Sequence, residues 1–567
     1  MSVWLTPATP LFVVNSTVIG LQMDADLTAL VGGGYVAVWT HQSGAPAQLR
    51  AQLFDAAGFA SGPEMALTAD LVGQQTRAEV VALADGGFFL TYTSSHYGSA
   101  LGVFGQRFDA SGVAQPDVFA AKPNSQKVHF DSSAVQLANG DLLMSYTALG
   151  RDGSDMGIYA QRFDLDGRKI GAELRINDFS TGAQSDSQVI ALANGGFGVL
   201  YRSRGIDGSD FGIATRWFDA MGAEVLRESV VNQTVDGDQL DGGMVQLASG
   251  EVVVVWQSDG APGTDTGIYA RVISQDGLAW GAEFAVAAAG QGNQITPSVL
   301  ALPDGGYTVL WQGAENSIQA QRFDANHLSV GTATQVNSGT SGALQNPQGA
   351  ILENGDMVLT WGTTNDGSGN GIEAQIFQGA YIGTARADRL DDTAQTNRMY
   401  GEDGADILRG LDGADIIEGQ GGRDTLLGNE GADKLYGGNG HDKLRGGQGD
   451  DRLHGGQKND VLTGGRGDDR LTGGQGDDML TGGAGQDVFI FRSGDGRDEI
   501  LDFDLATEAL WLDADIWGGG LTARQVVSNF AEIQSDDVVF VFSSEDQIRL
   551  RDVSDLEALS GAIDLIS

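Results

Sequence analysis

Short apolar stretches recur through the first 380 residues with a period of about 55 residues. In each unit a glycine-containing turn leads into an apolar stretch that ends in an aromatic residue. These stretches are Gly34…Trp39, Gly87…Tyr92, Gly140…Tyr146, Gly196…Tyr201, Gly250…Trp256, Gly306…Trp311 and Gly355…Trp361. A second marker follows each, at Phe54-Asp55, Phe108-Asp109, Phe163-Asp164, Phe218-Asp219, Ile273-Ser274, Phe323-Asp324 and Phe377-Gln378. Seven such units, each of about four short strands, predict a seven-bladed β-propeller over residues 1–380.

The seventh unit contains only three predicted strands, the last of which ends at Phe377, before the next type of repeat begins. The N-terminal segment 10–14, Pro-Leu-Phe-Val-Val, has the composition of an orphan fourth strand. We predict that residues 10–14 complete blade seven, which closes the ring and removes its free edges.

The aromatic residue that ends each apolar stretch has two interpretations. Aromatic rings could line a carbohydrate site, or they could pack between blades. Strict periodicity favours packing in the core.

A second apolar period, of nine residues, covers 401–490 without insertion or deletion. Ten repeats fit the template G-G-x-G-x-D-x-(apolar)-x, which is known as a calcium-binding nonapeptide. The eighth residues are Leu408, Ile417, Leu426, Leu435, Leu444, Leu453, Leu462, Leu471, Leu480 and Phe489. The sixth residues are all aspartate, namely Asp406, Asp415, Asp424, Asp433, Asp442, Asp451, Asp460, Asp469, Asp478 and Asp487.

Each nonapeptide predicts a tight turn followed by a very short strand. Closely spaced glycines permit positive φ and let backbone carbonyls crowd around one point, to which the sixth residue adds a carboxylate. Such an all-oxygen shell suits Ca²⁺, and we expect several calcium ions. Zinc is disfavoured because the repeats contain no cysteine and their two histidines, His441 and His454, stand at variable positions. The candidate glycine positions are Gly437, Gly440, Gly446, Gly449, Gly464, Gly467, Gly473, Gly476, Gly482 and Gly485.

The nine-residue phase can be followed upstream of Gly401. Residues 383–391 form a degenerate repeat with Asp388 in the sixth place, which adds Asp388 to the candidate ligands, and 392–400 form another with Asn397 there.

On these motifs the chain resembles the RTX (repeats-in-toxin) family of calcium-binding exoproteins. The resemblance implies a parallel β-roll over 383–490, in which two repeats make one coil and calcium lies between neighbouring turns. Some positions depart from the pattern: Lys458 and Asn459 stand in the Gly-x place of the seventh repeat, and Leu411, Gln420 and Asn429 replace the second glycine of early repeats. We expect weak calcium binding, or none, at the Lys458 turn and looser early turns.

Residues 491–567 resemble the region that closes the β-roll in serralysin-type proteases, and we predict a C-terminal β cap there. Apolar alternation at 538–542 and 547–550 supports strands. The ending at 562–567, Ala-Ile-Asp-Leu-Ile-Ser, resembles an uncleaved type I secretion signal. A simple final strand is the alternative interpretation.

The composition of this all-β chain restricts its possible partners and its route of export. The net charge is −43, from 76 acidic and 33 basic residues, which opposes binding to nucleic acid and to anionic membranes. The chain has no cysteine, so metal is the natural substitute for disulfides. The first residues lack the features of a secretory signal peptide, and no run approaches the roughly 18 apolar residues of a membrane span. We therefore expect export by type I secretion machinery to the outside of a Gram-negative cell, with attachment to the cell surface as an open option.

Catalytic motifs are missing from the sequence. It contains no H-E-x-x-H, no G-x-S-x-G and no cysteine nucleophile, which favours a non-enzymatic protein, although paired carboxylates remain an open alternative. The leading hypothesis is a secreted calcium-binding protein whose propeller binds an extracellular glycan or surface protein. The alternatives are an extracellular hydrolase or lyase with its site on the propeller face, and a calcium-dependent component of a surface layer or matrix.

Overall fold

The computed structural model describes residues 5–566 except 18, 45, 70, 96–100, 122–127, 152–154, 180, 260–264, 276, 289–291, 338–342, 365–369, 380, 383–388 and 392–397. The chain divides into two compact units, Met1–Gln378 and Gly379–Ser567.

The first unit is a ring of seven antiparallel sheets. The second strand of each sheet is buried on both faces because neighbouring blades pack against it, whereas fourth strands such as Lys169–Arg175 are largely exposed. The blades comprise Leu21–Ala29, Tyr35–Gln42, Gln48–Phe54 and Met65–Ala66; Gln75–Ala82, Phe88–Ser94, Gly102–Phe108 and Ala114–Ala120; His129–Gln136, Leu142–Leu149, Met156–Phe163 and Lys169–Arg175; Gln184–Ala191, Phe197–Arg204, Phe211–Phe218 and Glu224–Val230; Gln239–Gln246, Val252–Ser258, Gly267–Ile273 and Phe284–Ala287; Ile295–Ala301, Tyr307–Gly313, Ser317–Phe323 and Ser329–Gln335; and Leu344–Ile351, Met357–Thr363 and Gly371–Gln378. A 3₁₀ turn, Ala314–Asn316, joins two strands of blade six.

Blade seven receives its outer strand from the N-terminus. Phe12–Val13 pairs with Glu373 and Ala374, and Thr6–Pro7 pairs with the same strand nearer its end. The two segments are separate because Pro10 has no N–H to donate to a ladder. Ala8 and Thr9 donate instead to the carbonyl of Ile376. The pairing therefore begins before the predicted segment 10–14.

The recurrent aromatic side chains belong to the core between the blades. All seven are at most 3% exposed, namely Trp39, Tyr92, Tyr146, Tyr201, Trp256, Trp311 and Trp361. They pack with apolar residues of neighbouring blades, as Trp256 does with Leu200 and Ile213. The core interpretation of the pattern is confirmed.

The second unit is built on two parallel sheets that face each other. Within the nonapeptides, each strand pairs in parallel with the strand eighteen residues later, so two nonapeptides make one coil. At the C-terminal edge of the second sheet, Asp537–Val541 pairs antiparallel with both of its neighbours. The first roll sheet contains Tyr381–Ile382, Arg398–Tyr400, Ile416–Glu418, Lys434–Gly440, Arg452–Gln457, Arg470–Gln475, Val488–Phe491, Ala509–Asp513 and Ile563–Ile566, with Asp403–Gly404 and Gly421–Gly422 beside it. The second roll sheet contains Arg389–Asp391, Ile407–Asp412, Thr425–Glu430, Lys443–Gln448, Val461–Arg466, Met479–Ala484, Arg497–Ile500, Gln547–Leu550, Asp537–Val541 and Ala531–Gln534.

The eighth residues of the nonapeptides form the core of the roll. All ten, from Leu408 to Phe489, are at most 3% exposed and belong to one continuous apolar cluster. At roughly 25 cal/mol per Å² of buried apolar area, each leucine contributes about 2 kcal/mol. This column of side chains therefore accounts for much of the roll's hydrophobic stabilisation.

The C-terminal residues continue both roll sheets and add two helices, Ala523–Phe530 and Leu556–Leu559. Thr522 and Gln525 form a capping box at the start of the longer helix. A 3₁₀ turn, Ala514–Ile516, precedes it. The predicted all-β architecture, a seven-bladed propeller followed by a parallel β-roll, is confirmed. Within the described residues, no helix combines the length and apolar character that crossing a membrane requires.

Candidate metal centre

The ten sixth-position aspartates lie in two buried rows, each directly before a strand of the roll. All ten residues are at most 1% exposed. Because the eighth residue must point into the core, the sixth residue, two positions earlier, points to the same side of the strand. The nine-residue spacing thereby places every one of these carboxylates inside the roll.

Backbone hydrogen bonds fix one oxygen of these carboxylates. The N–H of Asp442 donates to Oδ1 of Asp460 over 2.7 Å, and the N–H of Asp451 donates to Oδ1 of Asp469 over 2.8 Å. The same bond links aspartates eighteen residues apart from Asp406 to Asp487. Each row is thus a ladder with its carboxylates held in a set orientation.

The other carboxylate oxygen, Oδ2, is buried without a hydrogen-bond partner in eight of these aspartates. The eight are Asp424, Asp433, Asp442, Asp451, Asp460, Asp469, Asp478 and Asp487. A buried carboxylate oxygen without a donor is strongly unfavourable, so eight such oxygens in two regular rows point to cations bound along each row.

The first glycine of each repeat leaves room for that cation. A Cβ added at Gly437 would lie 2.7 Å from Oδ2 of Asp442 and 2.5 Å from the carbonyl oxygen of Gly455. Gly446, Gly464, Gly473 and Gly482 are crowded by Oδ2 of their own sixth residue in the same way. A backbone carbonyl and a carboxylate oxygen therefore face one small space.

The glycine at the fourth position of a repeat allows close contact between successive turns. A Cβ at Gly440, Gly449, Gly467, Gly476 or Gly485 would overlap the carbonyl oxygen of the turn eighteen residues earlier. Four of the five, all but Gly440, have φ between +123° and +155°, which side chains disfavour. Glycine is thus required both by space and by backbone conformation.

Five turns have a side chain in the left-handed region, where φ is between +67° and +79°. These residues are Glu402, Leu411, Gln420, Asn429 and Lys458. At the Lys458 turn, the N–H of Asn459 donates to Nδ1 of His441 over 3.2 Å. These five turns follow the same backbone path as the glycine-containing turns, with strain at the residue of positive φ. The ladder of sixth-position aspartates continues through all of them.

Burial raises the pKa of the ladder carboxyls. Burial, together with the charges of neighbouring aspartates in the row, raises the pKa of Asp424 to about 6, that of Asp451 to about 7 and that of Asp460 to about 8. Desolvation and like charges disfavour the ionised form. A bound cation would reverse both effects, since it supplies the missing opposite charge.

The donor set suits a hard cation and not a soft one. Among the described residues, no three His, Cys, Asp or Glu side chains converge as a metal cluster, so most donors would be backbone carbonyls. Carbonyl and carboxylate oxygens fit Ca²⁺. Nδ1 of His441 lies 3.0 Å from the carbonyl oxygen of Asn459, and the ring of His454 packs edge-on against Tyr436.

Two acidic residues beyond the repeats extend the buried acidic rows, and the nonapeptide pattern missed them. Asp498 continues the ladder of hydrogen bonds, whereas Glu508 accepts from the N–H of Asp504. The N–H of Asp478 donates to Oδ1 of Asp498 over 3.1 Å, and Glu508 lies beside Asp487 because Val488 pairs with Ala509. Burial raises the pKa of Asp498 to about 9 and that of Glu508 to about 8. Asp498 and Ile500 keep the aspartate-x-apolar spacing of positions six to eight of a repeat. Two inserted residues shift this pair out of the nine-residue phase. Asp388, in contrast, lies outside the described residues.

The propeller holds a polar cavity of about 590 Å³, lined by the first strands of all seven blades. One residue per first strand has φ between +45° and +54° at a β-bulge, namely Asp24, Arg77, Asp131, Asp186, Asp241, Thr296 and Asn346. Deeper in, Oδ2 of Asp26 accepts from the N–H of Val80 in the next blade over 2.8 Å. Burial raises the pKa of Asp26 to about 6, and burial with the Asp26 charge raises that of Glu79 to about 8.

Comparison with known families identifies the roll. The model of the RTX calcium-binding nonapeptide repeat matches residues 382–417, 418–453 and 454–489. These residues are RTX repeats, as the sequence resemblance predicted, and such repeats bind calcium. A comparison with curated proteins gives no match.

Several solved structures are similar to this chain at low identity. They include the GH93 α-L-arabinofuranosidase of Fusarium graminearum with arabinobiose (13% identity, 58% of this chain and 99% of that chain covered, TM-score 0.38). They also include the polysaccharide lyase Uly1 (10%, 66% and 99%, TM-score 0.41) and a point mutant of the NanB sialidase from Streptococcus pneumoniae (11%, 65% and 70%, TM-score 0.37). At these scores the similarity says nothing about what this chain binds.

Proposed function

We propose that this chain is a secreted calcium-binding protein whose propeller acts as an extracellular binding or adhesion module. The β-roll would fold on calcium after export. The observation that carries the proposal is the set of eight buried carboxylate oxygens without hydrogen-bond donors, in two rows.

Calcium concentration would control folding of the roll. Without a cation, the buried rows of aspartates oppose folding at neutral pH, because each must either lose its charge or remain desolvated. In a cytosol poor in free Ca²⁺ the roll would stay unfolded and could be threaded through type I secretion machinery. Outside, at roughly millimolar calcium, sites with Kd near 10⁻⁴–10⁻³ M would fill.

Circular dichroism of the full chain across a calcium titration tests this proposal. We expect a rise in β-signal that saturates near millimolar calcium and is weak with magnesium, which demands stricter octahedral geometry. A spectrum that does not change with calcium would overturn the proposal.

The propeller would supply specificity for an extracellular glycan or surface protein. Binding of the full chain to glycan and cell-surface arrays in calcium tests that assignment.

Light scattering across the calcium titration distinguishes a monomeric binder from a surface-layer or matrix component, which would grow in mass as calcium rises.

A second candidate function is hydrolysis or lyase chemistry in the propeller cavity. The observation favouring it is the Asp26–Glu79 pair, because two carboxyls with raised and unequal pKa values can act as acid and base. Activity on polysaccharides that Glu79→Gln abolishes, while Asp166→Asn on the surface retains it, would support this candidate. Equal activity in both variants would exclude this pair.

A further inference from the structure

The outer surface of the first roll sheet carries a column of three basic residues. Lys434, Arg452 and Arg470 occupy the seventh position of alternate nonapeptides and pair in register. Neighbouring strands are about 4.8 Å apart, so the three positive groups follow each other at that spacing. Arg452 and Arg470 are exposed and Lys434 is half-buried. We refer to these three residues as the basic column.

Within the described part of the chain, no acidic side chain forms an ion pair with the basic column. The outward positions of the three strands are Lys434, Tyr436, Arg452, His454, Arg470 and the buried Thr472, none of them acidic. The nearest acid on the adjacent strand is Glu418, which pairs with Tyr436 and not with the basic column. Like charges placed opposite each other destabilise a sheet. In a chain with a net charge of −43, such a column is the opposite of what overall composition predicts.

Aromatic rings lie beside the basic column. Tyr436 is 39% exposed, and its ring meets that of His454 edge-on at 6.5 Å. The surface therefore combines regularly spaced positive charge with an exposed ring.

The second roll sheet differs at the equivalent positions. Its seventh residues are Thr425, Lys443, Val461 and Met479, with a single cation. The basic column is thus a property of one face and not of the repeat.

We propose that this face of the roll binds an anionic polysaccharide of the uronic acid type, through its carboxylates on the basic column. Such a polymer carries one charge per sugar, and its sugar rings can pack on Tyr436. Nucleic acid carries one charge per about 1.7 Å of duplex, so the acidic remainder of the protein opposes it more strongly.

This inference rests on the calcium-dependent folding proposed above. Only the folded roll brings residues 434, 452 and 470 into one column, and the carboxylate rows behind the strands must be neutralised before the face becomes net positive. Binding should therefore require calcium.

Titration calorimetry of the full chain with an oligogalacturonate in millimolar calcium tests the proposal. We expect saturable binding that weakens with added salt. The triple variant Lys434→Gln, Arg452→Gln, Arg470→Gln should lose about tenfold in affinity, the sum of three exposed charge pairs. The matched control Lys443→Gln, Arg445→Gln, Arg466→Gln removes the same charge from the second roll sheet and should bind like the original chain.

Circular dichroism of the same samples separates the possible failures. Absence of binding by a roll that calcium has folded would overturn the polysaccharide assignment alone, and a roll that ignores calcium would overturn both proposals. Equal loss in the control variant, equal binding of neutral dextran, or tighter binding of a DNA duplex would also contradict it.

Discussion

At the scale of single residues, the sixth-position aspartate combines a structural and a metal-binding role. One oxygen closes a hydrogen bond to the backbone of the preceding coil, and the other is left for a cation. The first glycine of the repeat keeps the space beside that oxygen open. A change of either residue should therefore act mainly on calcium affinity.

Asp460→Asn should raise the calcium concentration at half-folding by about tenfold, because one charged donor is lost from the ladder. The amide oxygen can still accept from Asp442, so the roll should fold once calcium is in excess. A calcium titration followed by circular dichroism measures the midpoint. Asp515→Asn, an exposed acid of the C-terminal region, is the control, and an equal shift there would show an effect of net charge alone.

Glu79→Gln should change how propeller stability depends on pH. The pKa of Glu79 is raised from 4.5 to about 8, so the folded propeller binds this proton more tightly than the unfolded chain does. Stability should therefore be highest below pH 4.5 as far as this group is concerned, and should fall as pH rises towards 8. The variant should flatten the fall in Tm over that window, whereas Asp166→Asn should not; identical profiles for Glu79→Gln and the original chain would contradict the assigned shift.

At the scale of elements, the two units are held together by different means. Blades pack through aromatic and aliphatic side chains on both faces of their second strands. The coils of the roll have only one thin apolar column, with buried carboxylates on both of its edges. The roll should therefore depend on its cation more than the propeller does.

Leu462→Ala tests the apolar column, since Leu462 is fully buried at the centre of the roll. The loss of a buried leucine typically lowers the free energy of unfolding by about 2–5 kcal/mol. Chemical unfolding in saturating calcium measures the change. Val461→Ala removes an adjacent side chain that is 40% exposed and should have a much smaller effect; equal effects would mean that the column does not hold the roll.

The sequence predicted those elements whose period is set by one dominant constraint. The nonapeptide spacing places Leu462 inward and Asp460 beside the turn, and the blade period places Trp256 between sheets. It did not predict Asp498 or Glu508, because insertions of two and three residues relative to the eighteen-residue spacing break the phase while the sheet register continues. Nor did it predict the bulge residues of the propeller cavity, such as Asp131 and Asp186, because their conformation depends on how seven inner strands pack around a common centre.

At the scale of the whole molecule, charge and folding are linked. The chain has 76 acidic residues, whose like charges oppose a compact state. It has no cysteine, so disulfides do not offset this repulsion. A bound cation offsets it at the point where the carboxylates are buried. The same charges that oppose folding inside the cell would thus favour a rigid roll outside it.

Hydrogen exchange of the full chain, measured by mass spectrometry with and without millimolar calcium, tests this account most directly. We expect amides of residues 401–490 to be protected from exchange only with calcium. Amides of the propeller strands, such as Val252–Ser258, should be protected in both conditions. Protection of 401–490 that is equally strong in a chelator would contradict it.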